Sequence, residues 1–105
     1  MILRLITTVE WELDRIVPKL ESVRVGTGLR LYKEFTEAGR TIRANPRFYS
    51  RVDDFPDSGG EFREAPLLKM TYRMIYEIRD SEVVVVALIH AHRRPGAWHL
   101  SLSEV

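Results

Sequence analysis

Tyr72-Arg73-Met74-Ile75-Tyr76-Glu77-Ile78 is followed, after Arg79-Asp80-Ser81-Glu82, by Val83-Val84-Val85-Val86-Ala87-Leu88-Ile89. In the first run Tyr72, Met74, Tyr76 and Ile78 alternate with Arg73, Ile75 and Glu77, the period of two of a half-buried strand. The second run is apolar at every position. A strand like that is buried on both faces, so it lies centrally in a sheet, with helices on one face and other cover on the second. The residues between the runs are turn formers.

Working upstream, Phe62 to Leu68 reads as another strand, at an edge because Pro66 cannot donate a ladder hydrogen bond. Asp53 to Gly60 reads as a loop broken by Pro56, Ser58, Gly59 and Gly60. A helix is expected from about Gly28 to Ala44, stopped by Asn45-Pro46. Its apolar face is traced by Leu29, Tyr32, Phe35, Gly39 and Ile42; Lys33, Glu37 and Arg40 lie opposite, with Glu37 placed to pair with Lys33. Gly39 costs about 1 kcal/mol against alanine in a helix, and close helix packing is the expected reason for it. Gly26-Thr27-Gly28 makes a hairpin turn to an earlier helix in which Val9, Leu13, Ile16, Val17 and Leu20 recur at helical spacing. Thr7-x-x-Glu10 is its capping box, and Pro18 should kink or break it. Ile2 to Ile6 is a first short strand. Helices precede strands instead of alternating with them, so the fold class is α+β: an N-terminal strand and a helical hairpin packed on a small, mainly antiparallel sheet. The expected core is Leu13, Ile16, Tyr32, Phe35, Ile42, Met74, Tyr76, Val85, Ala87 and Ile89.

The 105 residues fit one domain spanning 1–105, since a second would lack residues for its own core. At 45% hydrophobic and 30% charged the chain is globular, neither disordered nor membrane-embedded. It has no cysteine, which excludes disulfides and thiolate metal sites. The apolar start is too short for a signal peptide, and no run approaches the roughly 20 residues of a spanning helix; a cytoplasmic protein with no membrane contact is expected. A net charge of +1 gives no bulk argument for nucleic acid. Arg40, Arg43, Arg47 and Arg51, spaced by three or four, read as a solvated face.

The run from Tyr72 to Ile78, its turn, and Val83 through His90-Ala91-His92-Arg93-Arg94-Pro95-Gly96-Ala97-Trp98 together resemble the C-terminal half of RelE/ParE toxins. The nearest likeness is to the ParE-like plasmid-stabilisation branch. A short strand, a helix ending in Gly-x-Gly, a second helix and Asn45-Pro46-Arg47-Phe48-Tyr49 are similar to that branch in order. The resemblance implies the toxin of a two-gene toxin–antitoxin module, wrapped and neutralised by a cognate antitoxin protein. RelE-type members cut messenger RNA in the ribosome; ParE-type members poison DNA gyrase.

A metal-free RNase needs a base for the 2′-hydroxyl, cations for the phosphate and an acid for the leaving oxygen. Arg73 matches the arginine that RelE-type enzymes carry in this strand; its alternative role is to pair with Glu77 or Glu64. Arg63 falls near a basic position of that branch, but Ala65 stands where its second lysine would be. His92 or Arg93 replaces the late arginine, and Trp98, which is neither acid nor base, the tyrosine. A substitute set would be His90 or His92 as base with Arg73 and Arg93 as clamps. For a binding toxin the target-contacting candidates are Arg63, Arg73, Arg93, Arg94 and Trp98. His90, His92 and His99 could bind zinc, but no Glu-x-x-His or cysteine pattern supports this, and no metal or cofactor is expected. Loss of the RNase constellation favours a ParE-like binding toxin, with DNA gyrase as a target, over a ribosome-dependent mRNA endoribonuclease or an inactive degenerate toxin. The open face of the sheet should collect Arg73, His90 or His92, and Arg93. An apolar groove beside the hairpin or along a sheet edge should await the antitoxin, and through it the chain could form a homodimer.

Overall fold

The structure, a computed structural model, describes residues 1–52 and 60–91. Along them run β1 (Ile2–Leu5), α1 (Thr7–Val23), α2 (Thr27–Ala44), β2 (Glu61–Leu67), β3 (Tyr72–Ile78) and β4 (Glu82–His90). The sheet order is β1-β4-β3-β2, with β1 parallel to β4 and the other pairs antiparallel. This is the α+β arrangement expected, and the Val83–Ile89 run is central in it. Both helices lie on one face, α1 against β4 and α2 against β1 and β2. On the other face Ile75, Val84, Ala87 and Ile89 are buried as well. Between Ile75 and Tyr76 the register shifts, so Ile75 faces Ala87 while Tyr76 faces Val85. Val86 is the extra residue of this bulge, which increases the local twist.

β2 is the last named strand, and Pro66 sits in it at no cost. The N–H of Glu64 points away from β3, to the Ser50 carbonyl at 3.0 Å, and the Phe62 carbonyl accepts from Val52 at 3.0 Å. Pro66, two residues after Glu64, directs its nitrogen the same way, where β3 needs no donor. The β2–β3 connection is less ordinary. Leu68, Lys69 and Met70 all have left-handed backbone, with φ of 47°, 53° and 71°. That conformation costs an ordinary L-residue roughly 1–2 kcal/mol.

Several local expectations change. The N-cap of α1 is Ile6, with no side-chain cap; Thr7 is already helical, so the Thr7–Glu10 capping box does not form. α1 also runs unbroken through Pro18. Pro18 and Asp14, whose carbonyl loses its helical donor, are both exposed, so water can satisfy that carbonyl. Val9 and Ile16 are buried, and Leu13, Val17 and Leu20 pack half-buried beside them.

On α2 the buried stripe is Gly28, Leu31, Phe35, Ala38 and Ile42. Leu29 is 66% and Tyr32 57% exposed, so the expected face is rotated and Tyr32 leaves the core. Small residues explain the rotation. A Cβ on Gly28 would lie 2.1 Å from the Val17 carbonyl oxygen, so the helices meet at Gly28. Gly39, by contrast, meets nothing within 4 Å and is not a packing glycine. The ion pair that forms on α2 is Arg30–Glu34, at 2.9 Å.

The hairpin turn uses Gly26 at φ 92° as the N-cap of α2. Glu21 of α1 takes the part of a cap side chain, accepting the N–H groups of Gly26 at 3.0 Å and Leu29 at 2.9 Å. These bonds hold its carboxyl below the ordinary range. The stabilisation is therefore present above the unfolded carboxyl pKa of about 4.3 and lost as pH falls through the lowered folded value.

Ile42→Ala should cost about 2–5 kcal/mol in urea unfolding, as for other fully buried aliphatic truncations, whereas Tyr32→Ala should cost less than about 1 kcal/mol. Equal losses would put Tyr32 back in the core. Glu21→Gln should lower the melting temperature at neutral pH, with the gap to wild type closing in acid below about pH 4; a gap independent of pH would remove the carboxylate from this role.

Candidate functional site

Arg63, expected at a target surface, is built into the fold. Its Nε donates to Glu61 at 2.9 Å and its Nη1 to the Tyr49 carbonyl at 2.7 Å. Glu61 also accepts from Arg47, at 3.1 and 2.9 Å, and the Tyr76 hydroxyl donates to the Pro46 carbonyl at 2.7 Å. Together these bonds tie the chain leaving α2 onto β2 and β3. Burial works to raise the Glu61 pKa, but bonds and charge from Arg47 and Arg63 outweigh it and the net shift is downward. Burial pushes the Tyr76 hydroxyl up to about 12. The Arg63 side chain is only 15% exposed, so it cannot reach a large partner without breaking this network.

Arg73 faces away from the helices, as alternation requires. Its Nη1 lies 2.6 Å from Glu64 Oε2, and its side chain is 19% exposed. Of the two carboxylates expected as alternatives, Glu64 is a partner and Glu77 pairs with Arg79 at 2.8 Å. Arg73 and Glu64 line a cavity of about 340 Å³ with Phe48, Tyr49, Ser50, Pro66, Met70 and Ala91. Phe48 and Met70 are exposed at its rim.

His90 does not join Arg73. Arg73 is in register with Ile89, so His90 is in register with Tyr72, on the helix side of the sheet. The His90 and Tyr72 rings meet edge to face at 5.2 Å, beside Glu12, Arg15 and Lys19 of α1. Alternation thus separates His90 from Arg73 across the sheet, and the two cannot bracket one phosphate. The expected cluster on the open face loses His90 for this reason. His92, Arg93, Arg94, Trp98 and His99 lie outside the described residues.

The second feature is an apolar groove beside the helical hairpin, over β1. Leu3, Leu5, Leu13, Tyr32, Phe35 and Met74 line a cavity of about 310 Å³, with Gly39 open in its wall and Arg40 and Arg43 beside it. At Leu13 and Tyr32 it meets a depression of about 540 Å³ bordered by Glu10, Asp14, Val17 and Pro18. One end of the groove is therefore acidic and the other basic. Sequence reasoning had assigned Tyr32 to the core and Arg40 to a solvated face. The signal for the groove was the width of the apolar stripe on α2, too broad for one core contact, with a glycine inside it.

Among the described residues no helix is long and apolar enough to cross a membrane. Comparison with known proteins finds no matching family model and no matching curated sequence.

Arg63→Ala should destabilise the protein by about 1–3 kcal/mol in denaturant unfolding, because it strips donors from Glu61 and the Tyr49 carbonyl. A stable, fully folded variant would return Arg63 to the pool of surface cations.

Proposed function

We propose that the chain is the toxin of a toxin–antitoxin module, ParE-like, cytoplasmic, acting by binding a cellular target such as DNA gyrase and held inactive by a cognate antitoxin. The observation that carries the reading is the groove over β1. Half-buried Leu3, Leu5 and Leu13 and exposed Tyr32 border an open channel between the helices and the edge strand, with Phe35 and Met74 of the buried core beneath them. Such a channel suits the apolar face of a partner helix. The basic end at Arg40 and Arg43 and the acidic end at Glu10 and Asp14 would set that helix in one direction. The α+β layout is compatible with the RelE/ParE resemblance, though other families share it.

A binding toxin is favoured over a ribosome-dependent endoribonuclease by the separation of Arg73 from His90 and by the carboxylate held against Arg73. Glu64 would have to be displaced before a phosphate could take both arms of that guanidinium. The open face around Arg73, Phe48 and Met70 is then the surface for the target. Without antitoxin, the apolar groove offers a route to a homodimer.

Gly39→Trp fills the groove without burdening the fold, since tryptophan is the better helix former and the space beside Gly39 is open. It should lower affinity for the protein encoded by the neighbouring gene at least roughly 30-fold, the scale of a clash at the centre of an interface, while growth arrest on induction persists and is no longer rescued. Arg73→Ala should weaken toxicity modestly, with gyrase supercoiling inhibited by wild type and ribosome-bound mRNA left uncut by both proteins. Cleavage of mRNA by wild type, lost by orders of magnitude in Arg73→Ala, would replace this reading with the RNase one. A chain that neither arrests growth nor binds its neighbour's product would end the toxin reading.

A further inference from the structure

The β2–β3 turn is held in a backbone form its own residues disfavour. Leu68, Lys69 and Met70 follow one another at positive φ, and none is a glycine or asparagine, the residues that adopt it readily. Such a run persists only where the surroundings over-determine it, and it marks positions where shape matters. Three bonds hold the segment. The Thr71 N–H donates to the Leu68 carbonyl at 3.1 Å, and Ala91 N–H to the Thr71 carbonyl at 2.7 Å. The third comes from a distant element: Glu34 of α2 accepts the Leu68 N–H at 2.8 Å through Oε1. Its other oxygen, Oε2, accepts from Arg30 Nε at 2.9 Å, which fixes the carboxylate from behind.

We propose that Glu34 is a latch: a positioning residue that holds the Leu68–Met70 turn left-handed and so keeps Met70 at the rim of the Arg73 cavity. The Leu68 amide is where the left-handed run begins, and its charge-assisted bond is of the stronger kind. Release of that bond frees the first left-handed residue, and the strain in the next two favours relaxation. Met70 would then leave the cavity lining it shares with Phe48, and the cavity would lose part of its wall. Glu34 and the groove lie on different flanks of α2. Its neighbours are Arg30 and Leu68, whereas Tyr32, Thr36 and Gly39 line the groove. The latch therefore shapes the open face without touching the antitoxin groove. The latch itself stands on the geometry alone; its effect on toxicity rests on the reading of the open face as the target surface.

Hydrogen exchange and φ-sensitive backbone couplings across Leu68–Thr71 test it in the full chain. In Glu34→Ala the Leu68 amide should exchange at least about tenfold faster, and the couplings of Lys69 and Met70 should lose their left-handed values. Glu34→Gln, which keeps an oxygen acceptor, should stay closer to wild type. Lys69→Gly should raise the melting temperature, against the usual direction for glycine, and should restore the left-handed turn in the Glu34→Ala background. Unchanged exchange and couplings in Glu34→Ala overturn the latch, as does a fall in melting temperature for Lys69→Gly. Should Glu34→Ala fail to fold, the Lys69→Gly result and the Glu34→Gln exchange still decide. With the turn relaxed, Glu34→Ala should lose growth-arrest potency while keeping antitoxin affinity. Full potency with a relaxed turn would overturn the target-surface reading and leave the latch in place.

Discussion

Burial of β4 on both edges and both faces is the constraint from which the rest of the molecule follows. Val83 through Ile89 are all buried, and full burial of such a side chain contributes roughly 1.5–3 kcal/mol. To cover the run, the chain places β1 parallel on one edge and β3 antiparallel on the other. A parallel neighbour requires a long crossover. The helical hairpin, β2 and β3 all lie between β1 and β4 in sequence, and the hairpin covers one face of the sheet on the way. Gly28 permits the close approach of the helices that this layer needs, and Glu21 caps the second helix from the first.

That cover is incomplete at one flank. α2 presents Gly28, Leu31 and Ala38 to the core, which turns Tyr32 and Gly39 outward over β1. The groove is the geometric remainder of a helix packed through its small residues. Its floor reaches Leu3 and Leu5 of the edge strand, so a segment docking there could meet helices and sheet edge together. Charge follows the same division. Arg4, Arg47, Arg63, Arg73 and Arg79 are tied to carboxylates, whereas Arg40 and Arg43 flank the groove. In a chain of net charge +1, the local field is set by where cations stand, not by how many there are.

The opposite face differs in kind. Its cavity is shaped by backbone held under tension, the Leu68–Met70 turn, and by Ser50–Val52 pairing along β2. Exposed Met70 and Phe48 line it together with an arginine–glutamate pair. Glu34, remote from this face in sequence and on another element, reaches it through its bond to the Leu68 amide.

Strand positions and the order of elements were legible in the sequence because they depend on local periodicity. Alternation in Tyr72–Ile78, the unbroken apolar run after it, and Asn45-Pro46 at the end of a helix each act over a few residues. Central placement of β4 was legible for the same reason, since only two-sided burial tolerates seven apolar residues in a row. The direction of Arg73 followed from the pleat. What tertiary structure decided was everything that depends on a one-residue phase or a distant partner. The buried face of α2 rotated because Gly28 and Ala38, weak signals in a hydropathy pattern, allow closer contact than Leu29 and Tyr32. Thr7 lost its capping role because β1 runs directly into α1 at Ile6. His90 parted from Arg73 because the register matched Arg73 with Ile89, and a shift of one residue moves a side chain to the other face of a sheet. Leu68, Lys69 and Met70 carry no local preference for a left-handed turn; the long-range bonds on that segment come from Glu34, 34 residues before Leu68, and from Ala91, 20 residues after Thr71, and no local pattern in a sequence encodes a contact at that range.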